Sequence, residues 1–193
     1  METQGLALMM AGCTPSSTEE FSRLLRLARA GDMAAFEQII IHHERHVLLT
    51  ALRLLGRLED AQDAAQEVFI RLYKYLHRFD EKREFLPWLY RMTVNVCRDI
   101  SRKQPRAGLL SLEEIPDPPV VAADLALEEE RRMLAQGIKT LAEKERAALV
   151  LRDIEGLSTR EVAAILGSSE ATVRSQVSTA RSKIKKFIDK RHL

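Results

Sequence analysis

Apolar residues recur every three to four positions along nearly the whole chain, and alternating runs of β-branched residues do not occur. That period belongs to amphipathic helices rather than strands, so the expected fold is all-α. The pattern breaks once. Between Lys103 and Ala123 stand Pro105, Gly108, Pro116, Pro118 and Pro119, a composition unsuited to a helix and suited to a linker. Two small helical bundles joined by a flexible tether are the expected architecture. The expected divisions are a tail at 1–20, a first domain at 21–103, a linker at 104–134 and a second domain at 135–193.

Helix boundaries can be placed from local chemistry. Ser17-Thr18-Glu19-Glu20 has the S-x-x-E form of a capping box and opens a helix running to about Gly31. Asp32 caps a longer one, through Ile39, Ile40, Val47 and Leu54 to Gly56. A third covers about 59–78, with Ala61, Ala65, Val68, Leu72 and Leu76 along one face. A fourth covers about 84–103, with Pro87 in its first turn, where a missing N–H costs little. Helical periodicity resumes near Asp124. Ser158-Thr159-Arg160-Glu161 is a second capping box, and Gly167 can take the positive φ of a tight turn before Ser168 or Ser169 caps the last helix.

Several functional classes are excluded. No apolar run approaches the ~20 residues of a membrane-spanning helix, so membrane insertion is not expected. Cys13 and Cys97, without a CxxC or HxxxC partner, make neither a disulfide framework nor a thiolate zinc site and suit a reducing cytoplasm. The stretch from Leu6 to Cys13 is shaped like a lipoprotein cleavage box but lacks a basic start, so it reads as a tail. His42 and His46 have the i, i+4 spacing of a helical metal pair without a third ligand, so no metal is expected. Phosphate-binding glycine loops, nucleophile motifs and paired carboxylates are missing. No enzyme activity and no cofactor are expected.

Charge points elsewhere. The chain carries 30 basic and 28 acidic residues for a net charge of +2, but the balance shifts along it. Residues 174–193 hold Arg174, Arg181, Lys183, Lys185, Lys186, Lys190 and Arg191 against the single acid Asp189. A basic terminal helix suits a polyanion, though cations at a helix C-terminus also stabilise it alone. Residues 158–184 read as helix, tight turn, helix, with Val173, Val177, Ala180 and Ile184 forming an inward stripe. At 100° per residue the opposite face holds Ala171, Ser175, Ser178 and Ser182. Thr172 and Thr179 flank it on one side, Arg174 and Arg181 on the other. Small polar side chains let a helix sink into the major groove, and arginines reach phosphates or guanine edges.

These segments resemble a known family. Thr140 to Arg146, Leu151 to Ser158, Glu161-Val162-Ala163 and Ala171-Thr172-Val173-Arg174-Ser175 are similar to the fourth conserved region of bacterial extracytoplasmic-function (ECF) sigma factors. Asp60-Ala61-Gln62-Asp63-Ala64-Ala65-Gln66-Glu67-Val68-Phe69 resembles that family's polymerase-binding helix. Phe85 to Asn95 resembles its promoter-melting, −10-reading segment. The resemblance covers about residues 21–187.

It implies a dissociable initiation subunit for core RNA polymerase and promoter DNA, held in check by an anti-sigma factor and not an obligate homo-oligomer. Asp60, Asp63, Gln66, Glu67 and Arg71 would face the polymerase. Lys82, Arg83, Trp88 and Asn95 would serve the −10 element, since the loop from His77 to Glu84 sits where the family captures a flipped base. Trp88 has a core position as its competing account. Ala171, Thr172, Arg174, Ser175, Gln176, Ser178, Thr179 and Arg181 would read the −35 element. Gln176 departs from the family's usual arginine, which removes one cation and offers an amide for an adenine edge. The alternative function is a dimeric helix-turn-helix regulator that binds an operator.

Overall fold

The computed structural model describes residues 18–103 and 125–191. Every regular element among them is helical: α1 (Thr18–Arg29), α2 (Met33–Leu55), α3 (Leu58–Tyr75), α4 (Phe85–Lys103), α5 (Leu125–Lys139), α6 (Glu143–Leu149), α7 (Thr159–Leu166) and α8 (Glu170–Asp189). A 3₁₀ turn at Leu76–Arg78 ends α3, and a π-helical turn at Val150–Ile154 extends α6.

Local chemistry places the ends. Asp32 accepts a hydrogen bond from the Ala35 amide at 3.1 Å and starts α2. Gly56 stops α2 at φ +82°, its amide returning to the Leu52 carbonyl. Ser158 and Glu161 form the expected capping box of α7, Gly167 ends that helix at φ +64°, and Ser169 caps α8. Ser17 and the cleavage-box-like stretch with Cys13 lie outside the described residues.

Helices α1–α4 close around Ile39, Val47, Ala51, Ala61, Ala64, Val68, Leu72 and Leu89. Each large apolar side chain fully removed from water there contributes about 1.5–3 kcal/mol. Helices α5–α8 close around Ile138, Leu149, Val150, Leu151, Val162, Ala163 and the stripe Val173/Val177/Ala180/Ile184. Gly137 on α5 lets Phe187 and Ile184 of α8 approach closely, so α5 is built into the second bundle. The expected domain boundary at 134/135 falls inside this helix.

The bundles are not held apart. Tyr90 and Val94 of α4, 3% and 1% exposed, belong to the second core rather than the first. Glu155, just after the π turn, accepts from Thr50 Oγ1 at 2.7 Å, Arg53 at 3.1 Å and the Tyr90 hydroxyl at 2.6 Å. In the other direction Arg146 donates to the Leu54 carbonyl at 2.8 Å. The prolines between Lys103 and Ala123 give the expectation of separate modules on a tether, but α4 contributes side chains to both cores. Its second apolar face, Tyr90/Val94, finds α7 instead of solvent.

Candidate nucleic-acid and protein-binding surfaces

The α7–turn–α8 unit presents one face of α8 to solvent. Ala171, Thr172, Arg174, Ser175, Ser178, Thr179 and Arg181 are all exposed, while Val173, Val177, Ala180 and Ile184 are buried. Helical geometry alone sets that division. The cations on this face are not free. Arg174 is paired with Glu170 at 2.8 Å. Arg181 is gripped by Asp153 through two hydrogen bonds of 2.8 and 2.7 Å, which raises its already high pKa. Lys183 reaches both oxygens of Glu145 at 2.8 Å, tying α8 to α6 and holding Glu145 below the usual carboxylate range. Thr172 shares its hydroxyl with Ser169 at 2.8 Å and so helps cap the helix.

Gln176 does not join this face. It is half-buried, and its Oε1 lies buried without a protein donor. Three residues past Val173 it stands only about 60° around the helix from that core position. Its Oε1 therefore turns toward the bundle, unlike the exposed side chains of the expected base-reading set.

The loop before α4 is built on Asp80. Its carboxylate accepts from the Lys82 amide at 3.0 Å, and its carbonyl accepts from the Arg83 amide at 2.9 Å. Arg29 of α1 tethers the loop through Glu81. Lys82, Arg83 and, on α4, Asn95 are exposed. Trp88 is not: it is half-buried, its ring 5.1 Å from Phe79 and 6.0 Å from Phe85. The indole packs at the edge of an aromatic cluster that also includes Phe21 and His43, so its core role is the one the geometry favours.

His43 lies 5.4 Å from Phe21 and 5.2 Å from Phe85. Burial, and then the neighbouring His46 and His42, push it down to about 4. It is neutral at pH 7 and packs as an aromatic. Among the described residues no three His, Cys, Asp or Glu side chains converge as metal ligands.

On α3 the expected polymerase-facing set divides. Asp60 is 7% exposed, its carboxylate 3.8 Å from Arg57 in the helix's first turn, where the dipole favours an anion. It belongs to the helix start and not to an outer surface. Glu67 and Arg71 are joined at 2.6 Å, and Arg71 continues to Asp99 of α4 at 3.3 Å. These half-exposed groups lace α3 to α4. Asp63 and Gln66 do face solvent, together with Ile70 and Tyr73, 55% and 58% exposed. Those four follow one another at spacings of three, four and three. Neither Ile70 nor Tyr73 was among the expected contacts. The same 3.6-residue arithmetic that gave the inner stripe would have found them on the outer one.

Comparison with known proteins fits this layout. Residues 39–107 match the family model described as Sigma-70 region 2, and residues 131–184 match Sigma-70, region 4. The chain is 32% identical to the RNA polymerase sigma-H factor of Pseudomonas aeruginosa over 182 residues, covering 88% of this chain and 94% of that one. It is 31% identical to the ECF RNA polymerase sigma-E factor of Escherichia coli K12, covering 83% and 90%. It is similar in structure to CnrH, solved in complex with the cytosolic domain of CnrY, with a TM-score of 0.64, 29% identity and coverage of 87% and 96%. The sigma factor RpoE of Bartonella quintana, solved with the anti-sigma factor NepR, shares the fold at a TM-score of 0.68 and 21% identity. The two family models fall in order on the two helical bundles, and the chain belongs to the sigma-70 family of RNA polymerase sigma factors, within its ECF group.

Proposed function

We propose that the protein binds core RNA polymerase and directs it to promoters, with the α3 face Asp63/Gln66/Ile70/Tyr73 as the polymerase contact. The loop at 79–84 and the exposed side of α4 around Asn95 serve the −10 element, and α8 serves the −35 element. The observation that carries this division is the placing of two chemically different surfaces on two bundles. One mixes polar and apolar side chains, as a protein contact does; the other has small hydroxylated side chains flanked by arginines, as a groove-reading helix does. An anti-sigma factor as regulator is supported by the two similar proteins solved with such partners or a partner's cytosolic domain. No described helix is long and apolar enough to cross a membrane, and a cytoplasmic site of action follows from the proposed partner.

In-vitro transcription with core enzyme and a genomic promoter library tests the reading. Arg174→Ala should lower promoter use while sparing core binding, and Gln66→Lys should lower core binding. An operator-binding dimer would instead hold duplex DNA unaided, with affinity falling steeply as salt rises. Equal loss of core binding in both variants would refute the division.

A further inference from the structure

The loop that precedes α4 is braced by a helix lying outside both matched regions, which begin at residues 39 and 131. The ends of the loop are pinned inside the first bundle. Phe79 and Phe85 are buried, and their rings meet edge to face at 5.6 Å. Between them residues 80–84 are all exposed, so no core contact fixes them. Helix α1 fixes them from the side. Phe21 packs edge to face on Phe85 at 5.2 Å, where the loop enters α4. About two turns further on, Arg29 donates to the Glu81 carboxylate and, more loosely at 3.5 Å, to the His77 carbonyl, where the loop leaves the 3₁₀ turn. The eight residues from Phe21 to Arg29 span about 12 Å, so α1 lies along the loop as a splint. Leu25, 5% exposed between the two contacts, anchors that splint in the first core.

The pair itself does little for stability. Arg29 and Glu81 are 31% and 44% exposed, and ion pairs so open to water contribute little to folding. Their effect is on order. A loop that takes up an unstacked base must offset the unstacking, and any freedom the loop loses on binding weakens it further. With Glu81 tied to α1 and Asp80 tied to the Lys82 and Arg83 amides, the backbone carrying those two cations is set before DNA arrives.

We propose that Arg29 is a positioning residue for −10 recognition, holding Glu81 and the His77 carbonyl so that the loop presents Lys82 and Arg83 to the promoter, and that α1 is thereby part of the −10 reader. The proposal rests on the sigma-factor reading above and on the −10 role given there to this loop. Charge masking is the competing account of the same geometry: Arg29 would only neutralise a carboxylate that otherwise repels DNA phosphates.

Base preference separates the two. Holoenzyme reconstituted from the full chain is offered a promoter recovered from the genomic library, with its −10 positions randomised on an unpaired non-template strand, and the bound DNA is sequenced. Arg29→Ala should lower the wild-type preference within the randomised positions about fivefold, which corresponds to the cost of ordering one long side chain on binding. Core binding, preference at the −35 element and melting temperature should stay nearly unchanged. Arg29→Lys, which keeps a cation within reach of Glu81, should retain most of the preference. Arg29→Ala/Glu81→Gln removes both charges and should stay as impaired as Arg29→Ala.

Recovery in that double variant establishes charge masking and overturns the positioning role. An Arg29→Ala variant that keeps its base preference, or that weakens binding to all sequences alike, overturns it too. Wild type that initiates but shows no preference in the unpaired strand overturns the −10 role of the loop, and the role of Arg29 with it. Wild type that selects no promoter with core enzyme overturns the sigma-factor reading itself.

Discussion

Asp153→Asn should strengthen promoter binding and steepen its salt dependence. In the free protein Arg181, 65% exposed, spends two of its donor hydrogens on Asp153 at 2.8 and 2.7 Å. The pair has no net charge, so at the DNA surface it displaces few counterions. An amide keeps the shape but removes the anion, leaving a full cation beside the reading face of α8. Each added phosphate neutralisation steepens log K against log salt by about 0.9. Over a fourfold rise in salt, from 50 to 200 mM, one such contact corresponds to a factor of about 3.5. The affinity advantage of the variant over wild type should therefore shrink by about that factor across the range.

The assay is fluorescence anisotropy of the reconstituted holoenzyme on a labelled promoter, with Arg181→Ala as control. The control should lose affinity, and Asp153→Asn/Arg181→Ala should erase the gain. A single variant that binds more weakly than wild type at every salt would refute the reasoning. It would mean that Asp153 aims Arg181 at the DNA rather than withholding it.

Other outcomes follow from the packing. Leu72→Ala, at a side chain with 0% exposure, should destabilise the protein by about 2–5 kcal/mol in urea titration. Ser158→Ala removes the acceptor of the Glu161 amide, bonded at 3.2 Å, and should cost about 1 kcal/mol by the same measurement. Glu161 is held below its usual 4.5 by the Ser158 hydroxyl first, and Glu145 below the same value by Lys183 first. A depressed carboxylate stabilises the fold at pH above 4.5 and loses that contribution as pH falls through its lowered value. Stability measured from pH 6 to 3 should therefore decline below about 4.5, and less steeply in Glu145→Gln/Glu161→Gln. Ile70→Glu, at an exposed position, should leave the melting temperature nearly unchanged and abolish core binding in a pull-down, whereas Asp60→Ala should lower the melting temperature.

Much of this molecule is legible without coordinates because helices encode themselves locally. Asp32 and Gly56, Ser158 and Glu161, and Gly167 act on backbone groups within a turn of themselves, and each stands where its type predicts. The inward stripe of α8 followed from a period of 3.6 and was found intact. Side chains near the boundary between faces were harder to assign. Gln176 and Asp60 are polar, yet one flanks the buried stripe and the other sits in a crowded first turn. Trp88 had two readings because an amphipathic helix offers an indole both; the phenylalanines at 79 and 85 select one.

Residue order by itself determined the all-helical class, the two bundles, the outward face of α8 and the family, since all depend on spacings within a helix or on contiguous motifs. Only the tertiary structure decided which cations are already paired, which face of α3 is open and that the bundles meet at Glu155. Those outcomes join residues separated by 28 positions, as in Asp153–Arg181, or by 105, as in Thr50–Glu155. No periodicity spans such gaps; complementary shape and charge between finished helices bring the partners together.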